Sequence, residues 1–314
     1  MGSSNSALPP SHRRRTATRL RKSVGTPAPI DKFAHTSSAA GMALPFPSLT
    51  RHLNDLAAAP GFDAAVLRAE LGQFHAPLLA QIEDDAAHPE RFADWGMSSN
   101  LDSGARAELV HPSLLAALCG LSGLPMPCEN SANAGLLHTY GYLLSNCRTP
   151  FGFKRERWTR PELEDGLGLR RGLVSAVPLE GTLLGNVTTL MRIIWKPGTE
   201  PNPLFADGTR YTGFTVTEQP EDSSLRLITR LIPFPAAGPG GNRRAALFHA
   251  WDDGTRLRFV TVFPVDSSVL DKLRRQSKNG TGLVKPRYNS VIPELGPEGR
   301  PGRILIEPWE SPTA

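Results

Sequence analysis

The chain has 314 residues, 39% of them hydrophobic and 21% charged, proportions of a globular protein with polar appendages and enough length for one large or two modest domains. It contains no apolar run near the roughly 18 residues of a membrane-spanning helix. Its three cysteines, Cys119, Cys128 and Cys147, are too few and odd in number for a disulfide framework, which points to reduced thiols in a cytoplasmic setting.

The formal charge of +5 is unevenly spread. Residues 1–41 hold seven Lys/Arg against Asp31, residues 42–147 four against eleven acids, and residues 148–314 carry 24 against 18. A basic arm on a near-neutral body favours a small anionic ligand over nucleic acid, because a polyanion demands a clear positive excess.

Residues 1–44 read as a disordered Arg/Ser/Pro-rich arm with almost nothing to bury. Met1-Gly2-Ser3-Ser4-Asn5-Ser6 fits the N-myristoylation pattern, and the arginines after it would supply a second, electrostatic signal for a membrane surface. The same composition suits organelle import or effector export, and Met42 offers an alternative start. A single α+β domain is expected over 45–314, with a helical part (45–165) and a β-rich part (170–314). The expected layout is a helical N-terminal layer on a mainly antiparallel sheet, curved or barrel-like.

Leu49, Leu53 and Leu56 keep helical spacing until Pro60-Gly61 interrupts. Asp63 then caps a run from Val66 to Ile82 that reads as two helices, ending at Glu83-Asp84-Asp85. Asp102 or Ser103 can begin a short helix. Pro112-Ser113 opens another through Cys119, stopped by Pro125 and Pro127. His111, Cys119, Cys128, His138 and Cys147 lack the paired spacing of a zinc set. GxGxxG, P-loop, GxSxG and HExxH motifs are missing too, so neither a metal nor a nucleotide cofactor is expected. Cys147 reads as a buried thiol.

The stretch Leu136–Trp158 joins the helical and β-rich parts and carries the chemistry-bearing residues. His138 and Tyr142 share a face whether it is a strand or a helix, and a phenol beside an imidazole suits acid–base work. Arg148, Lys154, Arg155 and Arg157 follow as a basic cluster. Pro161 with Glu162, Glu164 and Asp165 begins a short helix and partly offsets that charge.

Strands are predicted near 173–178, 186–195, 211–218, 224–232, 245–251, 256–263 and 303–307, with turns at Trp195-Lys196-Pro197-Gly198 and Asp207-Gly208. Asp253-Gly254 predicts a two-residue hairpin. Its register sets Phe248 opposite Phe259, Ala250 opposite Leu257, His249 opposite Arg258 and Trp251 opposite Arg256. Leu225, Leu227 and Leu231 share one face, Arg226 and Arg230 the other. With Arg192, these arginines would form one anion-binding face around His249 and Trp251. A helix is expected after Asp266-Ser267-Ser268, and the loop 285–302 reads first as a surface connection, with Lys285, Arg287 and Tyr288 folding over the sheet as the alternative.

These residues describe a metal-independent hydrolase or lyase acting on a phosphate- or carboxylate-bearing substrate. His138, Tyr142 and His249 would supply acid–base chemistry; Arg148, Lys154, Arg155, Arg157, Trp251, Arg256 and Arg258 would hold the anion. The competing expectation is a non-catalytic interaction or effector protein localised by its arm.

Overall fold

The computed structural model describes residues 43–102, 104–126, 130–149, 152–196, 211–235, 244–266, 268–276 and 280–311. The basic arm, Ser103, Cys128, Pro197-Gly198 and Asp207-Gly208 therefore lie outside the described residues. The fold is α+β, with helices set against a six-stranded antiparallel sheet.

Three helices open it: α1 (Phe46–Ala57), α2 (Ala64–Phe74) and α3 (Ala76–Ala86). Leu49 and Leu53 of α1, Leu67 and Leu71 of α2, and Leu78 and Ile82 of α3 are fully buried, the four-residue spacing that puts side chains on one helix face. The Asp63 carboxylate caps α2 by accepting from Ala65 N and Val66 N, each at 2.9 Å. The run ending at Ile82 is parted at His75, whose ring accepts from Leu78 N and starts α3. α4 (Pro112–Leu121) follows as expected. At Asp102 the expected helix is instead a short strand, Leu101–Asp102, paired with Ala107–Glu108.

Asp85 at the end of α3 is completely buried, not a solvated helix terminus. It accepts from the Tyr140 hydroxyl, from Thr182 Oγ1 at 2.6 Å and from Arg91 Nη1 at 2.7 Å. Thr182 in turn caps α5 (Leu183–Trp195). This segment was expected to be a strand from its β-branched residues. Leu183, Leu184, Val187, Leu190, Met191 and Ile194 instead bury one helical stripe. No strand forms at 173–178, where the Glu164 carboxylate takes the N–H groups of Gly172 (3.0 Å) and Val174 (2.6 Å).

The large sheet is built from β1 (Thr212–Pro220), β2 (Arg226–Pro233), β3 (Arg244–Asp252), β4 (Leu257–Asp266), β5 (Thr281–Val284) and β6 (Arg300–Glu310), in the order β4-β3-β2-β1-β6-β5. A three-stranded sheet pairs Met97–Ser99 with both Ser131–Asn133 and Ser290–Val291. Ala246, Phe248 and Ala250 of β3 join the helical core. Leu247 packs on the opposite side with Leu231 and Leu273, the last from α6 (Ser268–Gln276).

The β3–β4 register differs from the expected one. Asp252 pairs with Leu257, so the loop has four residues, because Asp253 Oδ1 captures the N–H groups of Thr255 (2.8 Å) and Arg256 (2.9 Å). A bulge then falls between Phe259 and Thr261. Phe248 faces Val262, Ala250 faces Phe259, Trp251 faces Arg258, and His249 faces Thr261.

Asp85→Ala leaves the Tyr140 and Thr182 hydroxyls and the Arg91 guanidinium without their buried acceptor. The expected loss is about 3 kcal/mol of unfolding free energy in urea denaturation. Asp84→Ala, whose carboxylate is about half exposed, should cost under about 1 kcal/mol.

Candidate active site

The stretch from Leu136 to Trp158 begins as a helix that runs to Leu143, and Arg148–Thr149 then pairs with Gly152–Phe153. Asn133 Oδ1 caps that helix by accepting from Gly135 N (2.9 Å) and Leu136 N (3.3 Å), and a π-helical turn over Leu137–Gly141 follows. Such turns recur at functional sites. Here it carries His138 into the interior with its ring centroid 4.7 Å from that of Tyr142, the neighbour expected from the spacing.

His138 is 2% exposed. Its Nε2 lies 2.9 Å from Ser98 Oγ, while Nδ1 has no partner among the described residues. The Trp158 indole donates to the His138 carbonyl at 2.8 Å and fixes the turn from outside. Arg157 then enters the same interior. Its guanidinium sits 4.5 Å from the Tyr142 ring centroid and 4.6 Å from that of Phe263, and Nη1 donates to Thr261 Oγ1 at 2.9 Å.

Thr261 is the cross-strand partner of His249. His249 is fully buried, its Nδ1 lies 2.9 Å from Thr229 Oγ1, and its Nε2 is also unpartnered among the described residues. Arg157 thus links the two imidazoles through Tyr142 on one side and Thr261 on the other. Lys154 completes the group, 5.0 Å from the Tyr142 ring centroid and paired with Asp102 at 2.7 Å.

Tyr288 roofs His249 edge-on, with ring centroids 4.8 Å apart. The adjacent Arg287 forms a two-pronged ion pair with the buried Glu218, both contacts at 2.6 Å. The turn closes through Ser290 N to Arg287 O (3.0 Å) and is tied to the neighbouring strand by Ser99 N to Asn289 O (2.7 Å). Tyr288 (φ 55°) and Asn289 (φ 64°) both adopt left-handed backbone, a conformation costly for residues other than glycine. Two surface hollows, one lined by Arg160, Asp165 and Phe234, the other by Asn54, His111 and Cys147, reach neither histidine.

Burial lowers both imidazoles. His138 is held well below the ordinary 6.5, with Arg157, Lys154 and His249 adding to the effect. His249 is brought to about 3 by burial and then by Arg287. Burial also lowers Arg157 to about 10, against the support of Tyr142 and Asp102, and pushes Tyr288 up to about 12. The centre therefore pairs neutral imidazoles with a half-buried cation that has no ion pair among the described residues.

Of the anticipated residues, His138, Tyr142, His249, Lys154 and Arg157 come together. Arg148 is exposed, with its guanidinium 6.0 Å from the Phe153 ring centroid. Arg155 lies 4.0 Å from that centroid and donates to the Ser145 carbonyl. Arg256 and Arg258 both turn to the Ala93 carbonyl at the outer end of the hairpin. Trp251 packs with Leu227, Val260 and Ile292.

The single arginine face is also corrected. His249 and Trp251 pair with Thr229 and Leu227, whereas Arg230 pairs with Phe248 on the opposite side. Arg192 belongs to α5, where it pairs with Asp94. Ser98, Thr229, Thr261 and Glu218 were not anticipated. Thr229 follows from strand alternation with Leu227 and Leu231, but Thr261 becomes visible only once the bulge is known. Lys285 is exposed, whereas Arg287 and Tyr288 do fold over the sheet.

Because both histidines titrate lower when folded, the unfolded chain binds protons that the folded chain refuses. Stability is complete above the ordinary 6.5 and is lost as pH falls toward about 3 for His249. Urea unfolding at pH 5 should show about 2 kcal/mol less stability than at pH 7 from His249, with His138 acting in the same direction, and His249→Gln should remove its own share of that slope.

Comparisons of the chain with protein families, curated proteins and solved structures found no match.

Proposed function

We propose that the protein is an enzyme of the hydrolase or lyase type, acting on a small phosphate- or carboxylate-bearing substrate with His138 and His249 as its acid–base pair. The observation that carries this reading is the half-buried Arg157 joined to two buried, neutral imidazoles, each with one ring nitrogen unpartnered among the described residues. A hydroxyl fixes the other nitrogen of each ring: Ser98 for His138 and Thr229 for His249. That leaves His138 Nδ1 and His249 Nε2 to face a ligand.

Arg157 and Lys154 would hold the substrate anion, with the guanidinium as the two-pronged contact. The incoming negative charge offsets the cations that add to burial in lowering both rings, and so raises their basicity. One imidazole then withdraws a proton from the nucleophile or the substrate carbon, and the other, once protonated, donates to the leaving group. Tyr142 orients Arg157 and His138 through its ring. The substrate reaches the centre when the Arg287–Ser290 turn lifts Tyr288 from His249.

The test is turnover by full-length protein on panels of phosphodiesters and carboxylic esters. His138→Gln and His249→Gln should each lower kcat by about 100-fold or more, with unchanged circular dichroism. Arg157→Lys keeps the charge but loses the fork, and should raise KM more than it lowers kcat. Folded histidine variants that match an active wild type remove both rings from the mechanism.

A further inference from the structure

A second cluster of unpaired polar groups lies on the opposite face of the sheet. Arg230 of β2 extends toward the end of α5, where its guanidinium is sandwiched 4.5 Å from the Trp195 ring centroid and 4.6 Å from that of Trp309. Nη1 donates to the Ile194 carbonyl, but Nε is buried and has no partner among the described residues. Trp195 is only 8% exposed, and its indole N–H is also buried without a partner among the described residues. Thr215 Oγ1 is the third such group, and Thr215 is the direct cross-strand neighbour of Arg230.

Buried donors are normally satisfied, so three orphans around one guanidinium require an acceptor. Among the described residues no carboxylate forms an ion pair with Arg230. Glu307, next in the row beyond Thr215, is exposed. Burial lowers the guanidinium to about 10, the direction expected of a cation without a counter-charge. The two indole faces pre-order it and exclude water from its flanks. Arg230 itself keeps partial exposure, so the cluster is reachable from solvent.

We propose that Arg230, Trp195 and Thr215 form a binding site for a small oxyanion, a carboxylate or phosphate group. Its oxygens accept from the guanidinium Nε, the indole N–H and the threonine hydroxyl between the Trp195 and Trp309 rings. The site is separate from the histidine centre, because Arg230 pairs with Phe248 whereas His249 points to the other face.

The test is isothermal titration calorimetry of full-length protein with sodium phosphate and, separately, sodium acetate, at ionic strength held constant with sodium chloride. Saturable binding of at least one anion is expected. Arg230→Met should weaken it by about tenfold or more, and Trp195→Phe, which keeps a ring but removes the N–H, should weaken it severalfold. Arg171→Met, which removes an exposed cation outside both clusters, should bind as the wild type does. No saturable binding of either anion overturns the proposal, as does wild-type affinity in both Arg230→Met and Trp195→Phe, or loss of binding in Arg171→Met. If Arg230→Met does not fold, Trp195→Phe and Thr215→Val decide: weakened binding supports the site and wild-type binding in both overturns it.

Discussion

The backbone of Phe259 is the contact on which both halves of the molecule depend. Its N–H donates to Asp94 O and its carbonyl accepts from Gly96 N, each at 2.8 Å. These bonds close the edge of the large sheet at β4 with chain from the helical half, covering donors and acceptors that would otherwise invite another strand. The bulge beyond Phe259 turns Thr261 toward His249, which is how bulges re-aim side chains. Gly96 permits the approach: a Cβ there would lie 2.9 Å from the Trp251 indole nitrogen.

From that docking follows the electrostatic character of the interior. Two of the cations beside the histidines are answered by carboxylates: Lys154 by Asp102 and Arg287 by Glu218. Among the described residues Arg157 lies against aromatic faces and hydroxyls, and Asp102 supports its charge without forming an ion pair with it. Burial keeps both imidazoles neutral, with Arg157 and Lys154 adding to it at His138 and Arg287 at His249. Among the described residues these three cations are met by two carboxylates. A structural polar core would be balanced by one further carboxylate; its omission is the asymmetry that the proposed substrate fills.

The helical half was legible because its signals are local. Leucines four apart, the Asp63 cap and Pro112 each act within one or two turns, and the described helices form where those signals lie. The His138–Tyr142 pair was legible for a related reason, since strand and helix periodicities both put the two residues on one face. α5 was misread because Val187, Thr188, Thr189, Ile193 and Ile194 favour strands locally, whereas burial of a helical stripe and the bond from Thr182 to Asp85 decide otherwise. The strand faces around Leu227 and Arg230 were correct within β2. The arginine face failed because it needed the register between strands. That register depends on the carboxylate of Asp253 and on a docking segment more than 150 residues upstream of Phe259, and neither is visible in local alternation.

The Arg287–Ser290 turn covers the His249 side of the buried centre. Tyr288 and Asn289 both occupy left-handed backbone, which Asn tolerates and which costs Tyr288 of order 1 kcal/mol or more. That strain is sustained by the Arg287–Glu218 pair, by the bonds of Asn289 to Ser99 and Asp102, and by the Tyr288 ring against His249 and Phe263. Elsewhere, exposing His249 would mean separating paired strands along β2, β3 and β4. At this turn it means giving up those contacts while releasing the backbone strain at Tyr288. The proposed route of access to His249 therefore runs through the same turn that covers it.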